Sequence, residues 1–132
     1  MSLTFNELQI VNTQRSHAWH DKGKTWTLAD WGNALAGEVG ELCNIIKKIR
    51  RIETGVAVRE TEADIKKLKE EAALEVADVI IYADLIATEL GVFTGDIVQK
   101  KFNITSDQFG FPQKLSNIKV GLPRRFDSEG GW

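Results

Sequence analysis

Apolar residues recur at three- and four-residue intervals over four stretches of the chain, the spacing of helix faces, and no stretch reads convincingly as a strand. Thr4-Phe5-Asn6-Glu7 has the form of a capping box, so a first helix is predicted from about Phe5 to Trp19, with Gly23 breaking the pattern. Thr27-Leu28-Ala29-Asp30 opens a second, with Asp30 near the positive end of the helix dipole. It is predicted to run to about Arg51, where Lys47, Lys48, Arg50 and Arg51 suit a C-terminus. Residues 54–60 carry Gly55 and little periodicity, and read as a loop. Thr61-Glu62-Ala63-Asp64 starts a third helix that ends near Leu90, with Gly91 as its C-cap. A shorter fourth starts at Thr94 or Gly95 and runs to about Ser106. Glycines and prolines crowd the sequence after Phe109. The chain therefore divides into a helical domain, 1–110, and an irregular tail, 111–132, which is either mobile or folded over a site.

Long helices with short connections predict an all-α fold, a four-helix bundle. Its third helix is unusual. Leu74, Val76, Val79, Ile80, Ile81, Tyr82, Leu85 and Ile86 leave it almost no polar side over its second half. A helix that is apolar all round must be covered all round, which a domain this small does not manage alone. Assembly as a dimer or tetramer is expected, with this helix near the shared core.

Two acidic motifs interrupt the apolar pattern: Glu38-Val-Gly-Glu41 and Glu75-Val-Ala-Asp78. At about 100° per residue, Trp31, Leu35, Leu42, Ile45 and Ile49 form one stripe on the second helix; Glu38 falls in its middle and Glu41 at its edge. On the third helix Glu71, Glu75 and Asp78 project within roughly 80° of one another, on the side of Leu74, Tyr82 and Leu85. Gly37 and Gly40 thin the second helix beside the first pair, which would admit a neighbouring backbone or a ligand. Carboxylates on an apolar face are costly unless something neutralises them. One solution is a set of salt bridges to Arg15, Lys48 or Arg50. The other is Mg²⁺, a hard cation that takes carboxylate oxygens and retains waters for a phosphate to replace. Di-iron bundles use Glu-x-x-His pairs, and neither His17 nor His20 stands three residues after a candidate Glu, which counts against iron.

Composition narrows the class. The 132 residues are 42% hydrophobic and 27% charged, enough for one soluble core. A net charge of −2 supplies no global basic field for nucleic acid. No run reaches the roughly 20 apolar residues of a membrane span, and the best, Val79 to Ala87, is broken by Asp84. The single cysteine, Cys43, and an N-terminus unlike a signal peptide fit a cytoplasmic protein.

The paired motifs, with Trp31-Gly32-Asn33-Ala34-Leu35-Ala36-Gly37 before the first and Val79-Ile80-Ile81-Tyr82 after the second, resemble the all-α nucleoside triphosphate pyrophosphatases. The likeness is to the MazG-like branch, related to dCTP pyrophosphatases and dimeric dUTPases, and runs from about Asn12 to Pro112. It implies a MazG-like bundle that cleaves a nucleoside triphosphate to the monophosphate and pyrophosphate in a site assembled in a homodimer or homotetramer. It implies Mg²⁺, with Mn²⁺ as an alternative, on Glu38, Glu41, Glu75 and Asp78. Lys101-Phe102-Asn103 resembles the family's Lys/Asn segment on the last helix, although Lys100 and Lys101 crowd Asn103 and no Arg follows before Arg124.

Within that reading Glu38 and Glu41 carry the catalysis, Glu41 at the rim being placed to orient or deprotonate a water. Lys48 either reaches a phosphate or snorkels to water. Trp19 and Trp26, and less so Trp31, either stack on a base or anchor the core; Tyr82 shares the acidic side. Asn12 and Arg15 lie on the side of Leu8 and Trp19 and need partners, either a ligand or a neighbouring helix. Asn103 faces the same choice, and Arg124 and Arg125 either close over phosphates or stay solvated. The alternative function is a non-catalytic helical module that binds nucleotide or a partner without turnover.

Overall fold

The computed structural model describes residues 2–19, 26–56 and 62–116. Its elements are α1 (Phe5–Trp19), α2 (Leu28–Glu53), α3 (Glu62–Glu89) and α4 (Thr94–Phe109), and there is no strand among the described residues. Gly23, Thr61, His20, Arg124 and Arg125 lie outside them.

Both expected capping boxes form. The Thr4 N–H donates to Glu7 Oε2 at 2.9 Å and the Glu7 N–H donates back to Thr4 Oγ1 at 3.2 Å. Thr27 and Asp30 repeat the exchange at the start of α2, at 2.7 and 3.3 Å. These bonds hold the Glu7 and Asp30 carboxyls below their ordinary pKa values, chiefly through the backbone N–H that each accepts.

Two helices run past their predicted ends. α2 continues to Glu53 and α4 to Phe109, because each stops only where a glycine takes the left-handed conformation: Gly55 at φ 72° and Gly110 at φ 70°. Beyond Gly110 the Phe111 N–H bonds back to the Ser106 carbonyl at 2.8 Å, as Val56 does to Arg51 at 2.9 Å. The cation cluster in α2 suits the negative end of the dipole but does not terminate the helix.

The chain forms two compact units, Met1–Asp96 and Ile97–Trp132. In the first, α2 and α3 pack against each other and α1 lies against α3. Among the described residues, Trp31, Ile45, Leu85 and Ala87 are the buried apolar ones. Beside them is a buried polar hub. Asp84, fully inaccessible, accepts from Asn12 Nδ2 at 2.9 Å and from Thr94 Oγ1 at 2.5 Å. Asn12 Nδ2 also donates to the Ile81 carbonyl at 2.9 Å, and Gln9 links Thr88, the Val92 carbonyl and the Thr94 N–H. A Cβ at Gly95 would sit 3.3 Å from Phe5 Cβ, a tight approach where the start of α4 meets α1.

In the second unit residues 110–116 fold back along α4. Asn103 holds Leu115 by both backbone groups, accepting its N–H at 2.7 Å and donating to its carbonyl at 2.9 Å. Gln99 donates to the same carbonyl, and Lys114 pairs with Asp107.

Along α3, Val76, Ile80 and Ala83 are exposed at helical spacing, with Leu90 just past its end, and on α2 Ala36, Val39, Cys43 and Ile46 are exposed likewise. With 100° per residue and antiparallel helices, both rows fall on one side of the α2–α3 pair, away from the residues that meet α1. No helix among the described residues is long and apolar enough to cross a membrane.

Candidate metal centre and adjoining pocket

α2 and α3 bring the two acidic motifs together. Glu38, Glu41 and Glu75 each offer a carboxylate oxygen, and the three oxygens lie within 4.8 Å of one another. Asp78 stands outside that tight triad, yet its charge acts on both Glu38 and Glu75. One Glu75 oxygen, Oε2, is buried with no hydrogen-bond partner.

Burial, and then the charges of Glu41, Asp78 and Glu75, push the Glu38 carboxyl above its ordinary pKa. Burial, followed by the Glu41 and Asp78 charges, does the same to Glu75. The salt-bridge solution is not the one adopted: no ion pair reaches any of the four acids among the described residues. Arg50 pairs with Glu53 at 3.9 Å, and Arg15 Nη2 donates to Asn12 Oδ1 at 3.5 Å. Glu71 is not part of the cluster; it pairs with Lys67 at 3.9 Å. A negative cluster without a cation and an unsatisfied buried oxygen are what a hard divalent ion corrects, so the donor set fits Mg²⁺ or Mn²⁺.

Glu38 and Asp78 also line a pocket of about 380 Å³. Its other walls include Trp19, Trp26, Trp31 and Tyr82, with Arg15 and Asn12 from α1. Trp31 is buried and ties the aromatic wall together, with ring centroids 4.6 Å from Trp26 and 6.1 Å from Tyr82. Trp19, 77% exposed, offers a free face at the mouth. Of the residues predicted from sequence to bind substrate, Asn12, Arg15, Trp19, Trp26 and Tyr82 therefore meet around one cavity.

Several residues singled out from the sequence have other partners or surroundings. Asn12 has both amide hydrogens committed to α3, so of the alternatives left open it has taken the neighbouring helix as partner. Lys48 lines a different pocket, with Arg51, Lys67 and Glu71. Lys101 lines an apolar recess on α4, and the Asn103 amide is taken up by Leu115. No other part of this chain approaches Gly37 or Gly40 closely: a Cβ at either would meet nothing within 4 Å. These glycines lie roughly 100° and 160° around α2 from Glu38, off the side that meets α3. Asp84 is the important residue that the site prediction passed over, and its signal was the lone carboxylate in the run Val79 to Ala87.

No family model matches the chain, and no solved structure matches it. The chain is similar to the Gene 37 protein of Mycobacterium phage L5, at 33% identity over 69 residues. The match takes in 52% of this chain and 54% of the phage protein, so the chain spans about half the length of that relative.

Proposed function

We propose that this chain is a Mg²⁺-dependent nucleoside triphosphate pyrophosphohydrolase of the MazG-like type, acting in the cytoplasm on the nucleotide pool. The observation that carries the reading is the triad of carboxylate oxygens within 4.8 Å, with the orphaned Glu75 Oε2, opening onto an aromatic pocket through Glu38 and Asp78. The reaction adds water across the α–β phosphoanhydride, giving a nucleoside monophosphate, pyrophosphate and a proton. When bound by Glu38, Glu41, Glu75 and Asp78, Mg²⁺ supplies charge neutralisation of the phosphate oxygens and acidification of a coordinated water.

The chain's own residues supply the rest. Trp19 and Trp26 stack the base, and the buried Trp31 holds Trp26 in place. Arg15, steadied by Asn12, carries positive charge to the pocket wall. Glu41, exposed at the rim, orients the attacking water and accepts its proton. The exposed apolar rows of α2 and α3 serve self-association into a homodimer or larger assembly.

The test is pyrophosphate release from the eight common nucleoside triphosphates and a set of modified ones, with Mg²⁺ and with Mn²⁺. Turnover of at least one, abolished by Asp78→Asn with helicity retained, is the expected result; release from none refutes the reading. The non-catalytic alternative draws on Asn103, whose amide is engaged within the chain rather than open to a ligand. It predicts calorimetric binding of intact triphosphate with Mg²⁺ and no product.

A further inference from the structure

An arginine that shares a pocket with uncompensated carboxylates ordinarily pairs with them. Arg15 lines the same pocket as Glu38 and Asp78, yet it makes no ion pair among the described residues. The charges that act on Glu38 are those of its acidic neighbours, with no cation among them. Arg15 is exposed and its arm is long and flexible, so its separation from the acids needs a cause.

The cause lies one turn back on α1. Arg15 Nη2 donates to Asn12 Oδ1 at 3.5 Å. That oxygen faces Arg15 because the other end of the amide is committed elsewhere. Asn12 Nδ2 donates to the Ile81 carbonyl and to Asp84 Oδ2, each at 2.9 Å, which uses both of its hydrogens. Turning the amide over would set its oxygen against a carbonyl and a carboxylate, two acceptors, at a buried position. Asp84 is fixed in turn: it is fully inaccessible, and its other oxygen accepts from Thr94 Oγ1 at 2.5 Å. The bonds thus run from Thr94 through Asp84 and Asn12 to Arg15, out of the buried hub and onto the pocket wall. A carboxylate suits the second place in that order, because it accepts and so makes Asn12 turn its hydrogens inward and its oxygen outward.

We infer that Asp84 is a positioning residue: acting through Asn12, it holds the Arg15 guanidinium off the acidic cluster, leaving Glu38 and Asp78 open to a cation and the remaining Arg15 N–H groups open to an anionic ligand. Released from Asn12, the Arg15 arm swings onto Glu38 or Asp78 and competes with the metal for them. This inference rests on the metal-binding part of the proposed function and not on turnover.

The experiment is calorimetric titration of Mg²⁺ alone into wild type, Asp84→Ala, Asp84→Asn, Asn12→Ala and Arg15→Gln, and into each alanine variant combined with Arg15→Gln, at a temperature where circular dichroism shows helicity retained. Asp84→Ala and Asn12→Ala are each expected to weaken Mg²⁺ binding by about fivefold or more. Arg15→Gln alone is expected to change it by less than about threefold, and to restore it to about that level when added to either alanine variant. Asp84→Asn still offers Asn12 an oxygen and should keep the wild-type affinity. A merely structural role would not give the restoration, since removing Arg15 repairs no packing. No loss in the alanine variants, or a loss that persists when Arg15→Gln is added, overturns the inference. If neither alanine variant folds, Arg15→Gln decides by itself. A gain in Mg²⁺ affinity of about fivefold or more would mean that Arg15 already sits on the acids, and would overturn the inference; an unchanged affinity supports it. Wild type that binds no Mg²⁺ removes the metal centre and this inference with it. Wild type that binds Mg²⁺ with the expected pattern of variants but hydrolyses no triphosphate leaves the inference standing and fails the hydrolase reading alone.

Discussion

Glu38→Gln isolates the electrostatic argument from any assumption about substrate. Glutamine keeps the shape and hydrogen-bonding capacity of the side chain and removes its charge. In wild type that charge sits with Glu41 and Glu75, carboxylate oxygens within 4.8 Å, and with no cation paired to it among the described residues. At that separation two unit charges repel by roughly 1 kcal/mol in a water-like dielectric and by about 3 kcal/mol at an effective dielectric constant of 20. Glu38 is only half-buried and solvent screens it, so the lower figure applies. Glu38→Gln should therefore stabilise the metal-free protein by on the order of 1–2 kcal/mol near neutral pH, a rise in Tm of about 3–8 °C for a domain of this size. Mg²⁺ should act in the opposite sense on the pair of proteins. A ligand at 100 times its Kd stabilises by about 2.7 kcal/mol, and the variant, lacking one ligand, should gain far less. Thermal melts followed by circular dichroism, in chelator and in Mg²⁺, measure both effects. A variant that melts below wild type in chelator, or one that gains as much from Mg²⁺ as wild type does, would refute the idea of a strained acidic site relieved by a cation.

Other consequences follow from particular residues. Glu38 and Glu75 titrate above the ordinary carboxylate value of 4.5, so between 4.5 and their raised values the folded state binds more protons than the unfolded one. Their contribution makes metal-free stability fall as pH rises through that window, and Mg²⁺ affinity rise over the same window; melts against pH with and without Mg²⁺ test the sign. The Glu7 and Asp30 caps act in a separate window, their contribution being lost only as pH drops through their lowered values. Asp84→Ala strips the buried Asn12 and Thr94 side chains of an acceptor and should cost about 3 kcal/mol in urea unfolding; a cost below 1 kcal/mol would discount the hub. Trp26→Ala removes a stacking surface and should weaken nucleotide binding by about tenfold or more while leaving the Mg²⁺-induced rise in Tm intact.

The acidic site was legible because its parts lie within single helices. Glu38 and Glu41, like Glu75 and Asp78, are one turn apart, and helical periodicity alone places each pair on a defined face. The same local logic gave the capping boxes at Thr4 and Thr27, since the bonds span three residues. Lys48, Asn103 and Asn12 were less legible because each has a long-range alternative that composition does not rank. Asn103 is satisfied by a backbone twelve residues away, and Asn12 by a helix about seventy residues away.

From the one-dimensional pattern come four helices, their starts, and two carboxylate pairs set among apolar neighbours, because period, caps and spacing are local properties of the chain. Only the packing of α2 against α3 turned the pairs into one triad and left Glu75 Oε2 without a donor. Only the seating of α1 on α3 brought Trp19 and Arg15 to the pocket that Trp26 and Glu38 line, and gave Asp84 its partner Asn12. Those outcomes depend on which helix faces meet, and that is set by burial summed over the whole fold rather than by any segment of it.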